Sequence, residues 1–267
     1  MGDGGAGGAP HLVFPHGSRA PTADDTVVAV GFAVEPPEDD DTYAAAEGLL
    51  SEEERARARR FRFDVDRRRF TVARGLVRRM LSRQVDVAPA DWRIEADAQG
   101  RPFVAAPADG GNLRFSASHT EGLVLCAVAV GRAIGADVER VRERAPLEVA
   151  GRFFAPSEVA ALDAFPPGEQ GDAFFRFWTL KESYAKARGL GLSLPLRQLA
   201  FDLDGGPRAA FDPALGDDPA AWRFFSLRPT PRHRAAICAG RHDGADVTLV
   251  TSWDGLAPHG GGASDQR

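Results

Sequence analysis

The sequence predicts an α+β protein built from two pseudo-symmetric α+β halves, with the active site in the cleft between them. Three observations carry this. Each half runs from helix-patterned segments into several short strand-like runs. Each half has, near its end, an apolar strand-like run holding a cysteine, "GLVLCAVAV" and "HRAAICAG". The segments "RFRFDVDRRRFTVARGL" and "FFRFWTLKESYAKARGL" share a loose pattern that closes on "ARGL" both times. The halves are placed at 26–131 and 132–254. Tails at 1–25 and 255–267, rich in Gly, Ala and Pro, are expected to be disordered. A cleft between two such halves is a natural ligand site.

The elements follow in order. "TVVAVGFAV" (26–34) is short, β-branched and apolar, as a strand is. "AAAEGLLSEEERARARRF" reads as helix, with Ser51 as N-cap and acidic residues in the first turn after it. "DRRRFTVARGLVRRMLSRQV" is a second helix, because Phe70, Ala73, Leu76/Val77 and Met80/Leu81 recur at helical spacing. Four strand-like pieces come next: "DWRIEAD", "RPFVAA", "NLRFSAS" and "GLVLCAVAV"; "AIGADVERV" extends the sheet. In the second half "LEVAGRFF" and "PSEVAALDAF" are helical. "GDAFFRFWTLKESYAKARG" is a long helix ending at Gly189, a residue suited to the left-handed conformation of a helix C-terminus. Strands "LAFDL", "WRFFSLR", "HRAAICAG" and "DVTLVTSW" complete it.

A chain of 267 residues, 43% hydrophobic and 27% charged, has the composition of one large or two small globular domains. No apolar run approaches the roughly 20 residues of a membrane span. The N-terminus lacks the basic and apolar regions of a secretory signal. Cys126 and Cys238 lie in apolar runs and are expected to be reduced core residues of a cytoplasmic protein. The net charge of −5 argues against nucleic acid as a partner. Residues 51–83 nevertheless hold twelve Arg against five acids, an island of +7 on a remainder of −12. Such an island suits an anionic ligand or partner. Of the 33 basic residues only Lys181 and Lys186 are lysine. Where the chain departs from Arg, a compact ammonium is the chemical difference.

The phosphate loop, dinucleotide, zinc-protease and esterase templates are absent. Three features remain. Asp137 and Glu139, two apart in "GADVER", share one strand face about 7 Å apart or less. Such a pair suits Mg²⁺, or else forms the polar face of an edge strand. Glu182 and Lys186, i and i+4, share a helix face: a platform for a site, or a plain surface ion pair. Ser118 and His119 close the strand-like "FSASHT", as phosphate ligands or as a polar turn. Taken together, the three carboxylates complete a metal site, and Lys186, His119, Ser118 and the Arg-rich helices hold a ligand with several phosphates.

"GADVER" followed by "FWTLKESYAKARGLGLSLPL" resembles the "GxDxE … WxxKEAxxK" signature of the 4′-phosphopantetheinyl transferases, in particular their two-half type. "GRP" (100–102) resembles the family's "GKP", and "FSASHT" its "FxISHS". The likeness spans roughly 47–240. Arg101 stands for the usual Lys and Ser183 for the usual Ala, while Glu54 falls where relatives often carry a basic residue and is not assigned to the coenzyme. The resemblance implies transfer of the 4′-phosphopantetheine arm of coenzyme A to a serine of an acyl or peptidyl carrier protein, releasing adenosine 3′,5′-bisphosphate. It implies Mg²⁺ on Asp137, Glu139 and Glu182, and Glu182, Lys186 and Asp137 as catalytic residues. Arg57, Arg69, Arg101, Pro102, Ser118 and His119 then bind the coenzyme, with Asp137 and Lys186. A monomer is expected, with the basic island attracting the acidic carrier. The alternatives are a carrier-binding module without catalysis and another Mg²⁺-dependent nucleotide phosphotransferase or hydrolase.

Overall fold

A computed structural model describes residues 27–35, 40–98, 100–107, 112–242 and 246–253. The two tails expected to be disordered, 1–25 and 255–267, lie outside the described residues, as do Thr26 and Asp254 at the ends of the halves. The first half begins with β1 (Val27–Glu35), followed by α1 (Asp40–Gly48), α2 (Glu52–Ala58) and α3 (Asp64–Ser82). A hairpin, β2 (Arg93–Ala96) and β3 (Pro102–Ala106), leads to β4 (Leu113–Thr120) and β5 (Gly122–Val130). The second half repeats the order: β6 (Ile134–Arg140), α4 (Ala150–Phe153), α5 (Pro156–Ala164) and α6 (Pro167–Arg188). Then come hairpin β7 (Leu199–Asp202) and β8 (Arg208–Phe211), β9 (Trp222–Thr230) and β10 (His233–Gly240). A last strand, β11 (Thr248–Trp253), has no counterpart among the described residues of the first half.

The sheets show the duplication in their registers. One sheet runs β11-β1-β5-β4 and the other β6-β10-β9. Gly31 pairs with Cys126 in the first, and Gly135 with Cys238 in the second. The strand 248–253, read with the second half, instead pairs in parallel with β1, Val27 facing Thr248. Residues 248–253 are thus built into the first sheet. Two further details differ from the sequence reading. The Ser51 N-cap expected from the sequence is there, opening α2 with a capping box in which the Glu54 amide donates to Ser51 Oγ and the Ser51 amide to Glu54 Oε2, but the residues before it form a helix of their own, α1. The short strand β8 adds a hairpin partner for β7.

Three apolar clusters order the layers. Leu76, Val77, Met80 and Leu81 of α3 pack on Phe115, Val124, Cys126 and Val128. Phe174, Phe177, Leu180 and Tyr184 of α6 pack on Ala236 and Cys238. Between the sheets, Leu123, Leu125, Ala127 and Ala129 of β5 meet Ile134, Ala136 and Val138 of β6 and Ala235, Ile237 and Ala239 of β10. Strands β5 and β10 are buried on both faces, which explains their unbroken apolar runs. The same alternation decides where the carboxylates of β6 go. With Ile134, Ala136 and Val138 in the inter-sheet core, Gly135, Asp137 and Glu139 point toward α6.

The sheets meet along β4 and β6 without a backbone ladder. Instead the Ala136 amide donates to Ser116 Oγ at 3.0 Å and the Arg140 amide to Thr120 Oγ1 at 3.2 Å. Both cysteines are buried and free. Among the described residues no helix is long and apolar enough to cross a membrane.

Candidate active site

The site forms where β6 runs beneath α6. Gly135 makes the approach possible: a Cβ there would sit on the Ser183 carbonyl oxygen and 2.5 Å from the Ala187 amide nitrogen. No other residue lets the helix backbone rest so closely on the strand. The helix is itself fixed from behind. Lys181, fully buried, donates to Glu158 at 2.7 Å, to the Leu196 carbonyl at 2.8 Å and to the Leu199 carbonyl. Glu158 also accepts from the Ala155 and Phe201 amides. Every donor of that ammonium has an acceptor, so one of the chain's two lysines is a buried strut.

The other lysine reaches the cleft. Lys186 donates to Asp137 Oδ1 at 2.7 Å, to Ser118 Oγ at 3.0 Å and to the Ala136 carbonyl at 3.1 Å. Ser118 in turn donates to Asp137 Oδ1 at 2.9 Å. Lys186 therefore pairs across the cleft with Asp137, rather than along the helix with Glu182. Strand β4 of one half and β6 and α6 of the other each supply one member of this knot.

Two carboxylate oxygens beside the knot are buried without a hydrogen-bond partner, Asp137 Oδ2 and Glu182 Oε1. Burial raises the Glu182 carboxyl above its usual range, and the Asp137 charge adds to this, while Lys186 opposes it. Glu139 is pushed up to about 7 by burial and by Asp137, against the pull of Arg142 and Lys186. These are acids crowded together with too little positive charge. Among the described residues no three His, Cys, Asp or Glu side chains stand close enough to hold an ion as they are. Two open, buried oxygens and a third acid that titrates near neutrality are nonetheless a donor set that suits a hard divalent cation.

Two adjoining cavities flank the knot. One, of about 410 Å³, is lined by Arg57, Arg69, Pro102, Ser118 and His119, all expected in the site. Phe61, Phe70 and Arg74 line it too, residues that sequence reasoning missed. For Phe70 and Arg74 the signal is helical phase: 66, 69/70, 73/74 and 77 fall on one face of α3, whereas Phe61 lies in the turn before it. His119 is held below its ordinary value by desolvation and by the Arg69 and Lys186 charges. The Arg57 guanidinium lies 5.2 Å from the centre of the Phe70 ring. The other cavity, about 350 Å³, is lined by Arg101, Pro102, Ser116, Lys186, Gly189 and Leu190, among others. Pro102, Phe115 and Ala117 border both. Glu54, set aside for the coenzyme, binds internally: its carboxylate pairs with Arg78 and lies 3.8 Å from Arg74.

An acid–ammonium–hydroxyl knot thus lies between two cation-lined cavities in an α+β frame. Comparison with known proteins gives the particular family. Residues 133–238 match the model of the 4′-phosphopantetheinyl transferase superfamily, and 36–130 that of the 4′-phosphopantetheinyl transferase N-terminal region. The chain is 36% identical over 189 residues to the 4′-phosphopantetheinyl transferase HetI of Nostoc sp. strain PCC 7120, covering 70% of this chain and 77% of that one. It is 32% identical over 204 residues to the 4′-phosphopantetheinyl transferase Sfp of Bacillus subtilis strain 168, covering 76% and 88%. A phosphopantetheinyl transferase of Thraustochytrium sp. is 31% identical over 236 residues, covering 82% and 80%. The chain belongs to the 4′-phosphopantetheinyl transferase superfamily and is an enzyme of that class.

Proposed function

We propose that this enzyme transfers the 4′-phosphopantetheine arm of coenzyme A to a serine of an acyl or peptidyl carrier protein and releases adenosine 3′,5′-bisphosphate. The observation that carries the reading is the Lys186–Asp137–Ser118 knot with two unpartnered buried carboxylate oxygens beside it. Asp137, Glu139 and Glu182 would hold Mg²⁺, which when bound supplies positive charge to the pyrophosphate. Arg57, Arg69 and His119 grip the nucleotide phosphates from one cavity, and Arg101 from the other. The acceptor serine oxygen bonds to the phosphorus that carries the pantetheine arm, and the bond from that phosphorus to the bridging oxygen breaks. Glu182, whose burial favours its protonated form, takes the serine proton. Lys186 leaves Asp137 for the departing bisphosphate, where a compact ammonium with three donors stabilises the new charge. The nucleophile belongs to the partner, so the chain needs no nucleophilic serine of its own.

On this reading the enzyme works as a monomer, since both walls of the cleft come from one chain, and its two free buried cysteines suit the cytoplasm. The decisive experiment incubates the protein with coenzyme A, Mg²⁺ and an apo carrier and follows the carrier by mass. A gain of about 340 Da, the covalently transferred arm, is expected. No gain across fatty-acid, polyketide and peptide carriers would overturn the proposal.

A further inference from the structure

On β6, Glu139 stands directly opposite Arg234 of β10. Ala235, Ile237 and Ala239 of β10 fill the inter-sheet core, while Ala236 and Cys238 pack under α6. Alternation therefore turns Arg234 to the α6 side, the side that Glu139 faces. Directly opposed residues have Cβ atoms about 4.5–5.5 Å apart, and opposite charges so placed stabilise each other. Glu139 and Arg234 nevertheless do not pair. The Arg234 guanidinium is bound by the Asp172 carboxylate of α6, and it donates a further bond to the His233 carbonyl at 2.8 Å. Lys186, which also attracts Glu139, is engaged by Asp137. Arg142, exposed after β6, attracts Glu139 without an ion pair. The Glu139 carboxylate is thus without an ion-pair partner among the described residues, although a cation lies straight across the ladder.

That cation is not free to wander. Arg234 is 6% exposed, so its charge needs an acid beside it. Burial opposes the charge, Asp172 supports it, and Arg228 and Arg176 press against it. Without the Asp172 charge, the acid directly opposed to Arg234 is Glu139. An Arg fork on that carboxylate occupies its oxygens and sets a positive charge against any arriving cation. Neither Asp172 nor Arg234 lines the two cavities, so their effect runs through Glu139.

We propose that Asp172 is a positioning residue for the metal site: it holds the Arg234 guanidinium away from Glu139, so that the Glu139 carboxylate stays open to the divalent cation. This rests on the reading of Asp137, Glu139 and Glu182 as the Mg²⁺ ligands.

The test titrates Mg²⁺ calorimetrically into the wild type, Asp172→Asn, Arg234→Gln and the double variant. Each protein holds coenzyme A and no carrier is present, so binding is read without turnover; melting curves check each fold. Asp172→Asn is expected to raise the Kd for Mg²⁺ about tenfold or more, as loss of a group that orients a metal ligand does. With carrier added, its kcat at saturating Mg²⁺ should stay within about twofold, because neither residue touches substrate. The double variant, which also removes the rival cation, should return the Kd to within about twofold of wild type, the non-additivity of two side chains acting through one contact. A Kd in Asp172→Asn equal to that of the wild type, or a loss that the double variant does not restore, overturns the proposal and leaves the transferase function standing. A loss of about tenfold in Arg234→Gln alone makes Arg234 a support of the site and not its rival. That result also overturns the proposal, and it is decisive even if Asp172→Asn does not fold. A wild type that binds no Mg²⁺ removes the metal assignment and the proposal with it.

Discussion

In the resting protein Lys186 is held by Asp137 and Ser118, and the carboxylates around it outnumber it. Truncating Lys186 to alanine should lower kcat by far more than it changes KM for coenzyme A. Single-turnover measurement of bisphosphate release checks this, and an unchanged kcat would remove the leaving-group role. Asp137→Ala should abolish transfer while leaving the melting curve of a folded protein; near-normal activity in Mg²⁺ would refute the metal assignment. Glu139 gives a pH signature. Its carboxyl rises from an ordinary 4.5 to about 7 on folding. Between those values the folded state keeps a proton that the unfolded chain has released, so metal-free stability falls as pH rises through the window. Thermal melts across that range should show the slope, and Glu139→Gln should flatten it. Added Mg²⁺ should raise Tm more above pH 7 than below, because the ion competes with that proton.

At the scale of elements, the contact of α6 with β6 decides whether the site exists. Gly135→Ala would place a methyl inside the helix backbone, and strand and helix must part. Activity should vanish even though no reacting group is touched, and coenzyme A binding by calorimetry should weaken with it. Lys181→Met tests the strut behind α6. It strands Glu158 in the core, and breaking a buried pair this way costs about 3–5 kcal/mol. Chemical denaturation reads the loss directly. Much of this scale was legible beforehand. Strand alternation in "GADVER" and the i,i+4 spacing in "KESYAK" set the facing of Asp137, Glu139, Glu182 and Lys186. The partner of Lys186 was not, because Asp137 lies 49 residues away and only the fold brings them together. Strand β8, "RAAF", is too short and too poor in β-branched residues to announce itself. The start of α2 at Ser51 was legible from its cap, but the separate helix before it was not, because "GLL" fits a helix as well as a turn.

For the whole molecule, the repeated order of helices and strands made the α+β duplication readable, since each half carries its own periodicity. The crossing of β11 into the first sheet did not follow from any local pattern; it depends on an edge of β1 left open by the other half. One consequence is cooperative unfolding. The inter-sheet core draws on both halves, so neither keeps its apolar face without the other. Trp92 reports on the first half and Trp222 on the second. Single-tryptophan versions should give the same denaturant midpoint, and two separated midpoints would show independent domains.

The seam between β4 and β6 bears on how the cleft moves. Hydroxyls rotate about a single bond, and a row of them can exchange partners one at a time, whereas a backbone ladder must be broken in register. Ser118 belongs to that row and also to the knot with Asp137 and Lys186. Loosening the seam thus means releasing Asp137 and Lys186, so that ligand arrival and the breathing of the two sheets become a single event, visible as slower amide exchange at Ala136 and Arg140 once coenzyme A is bound.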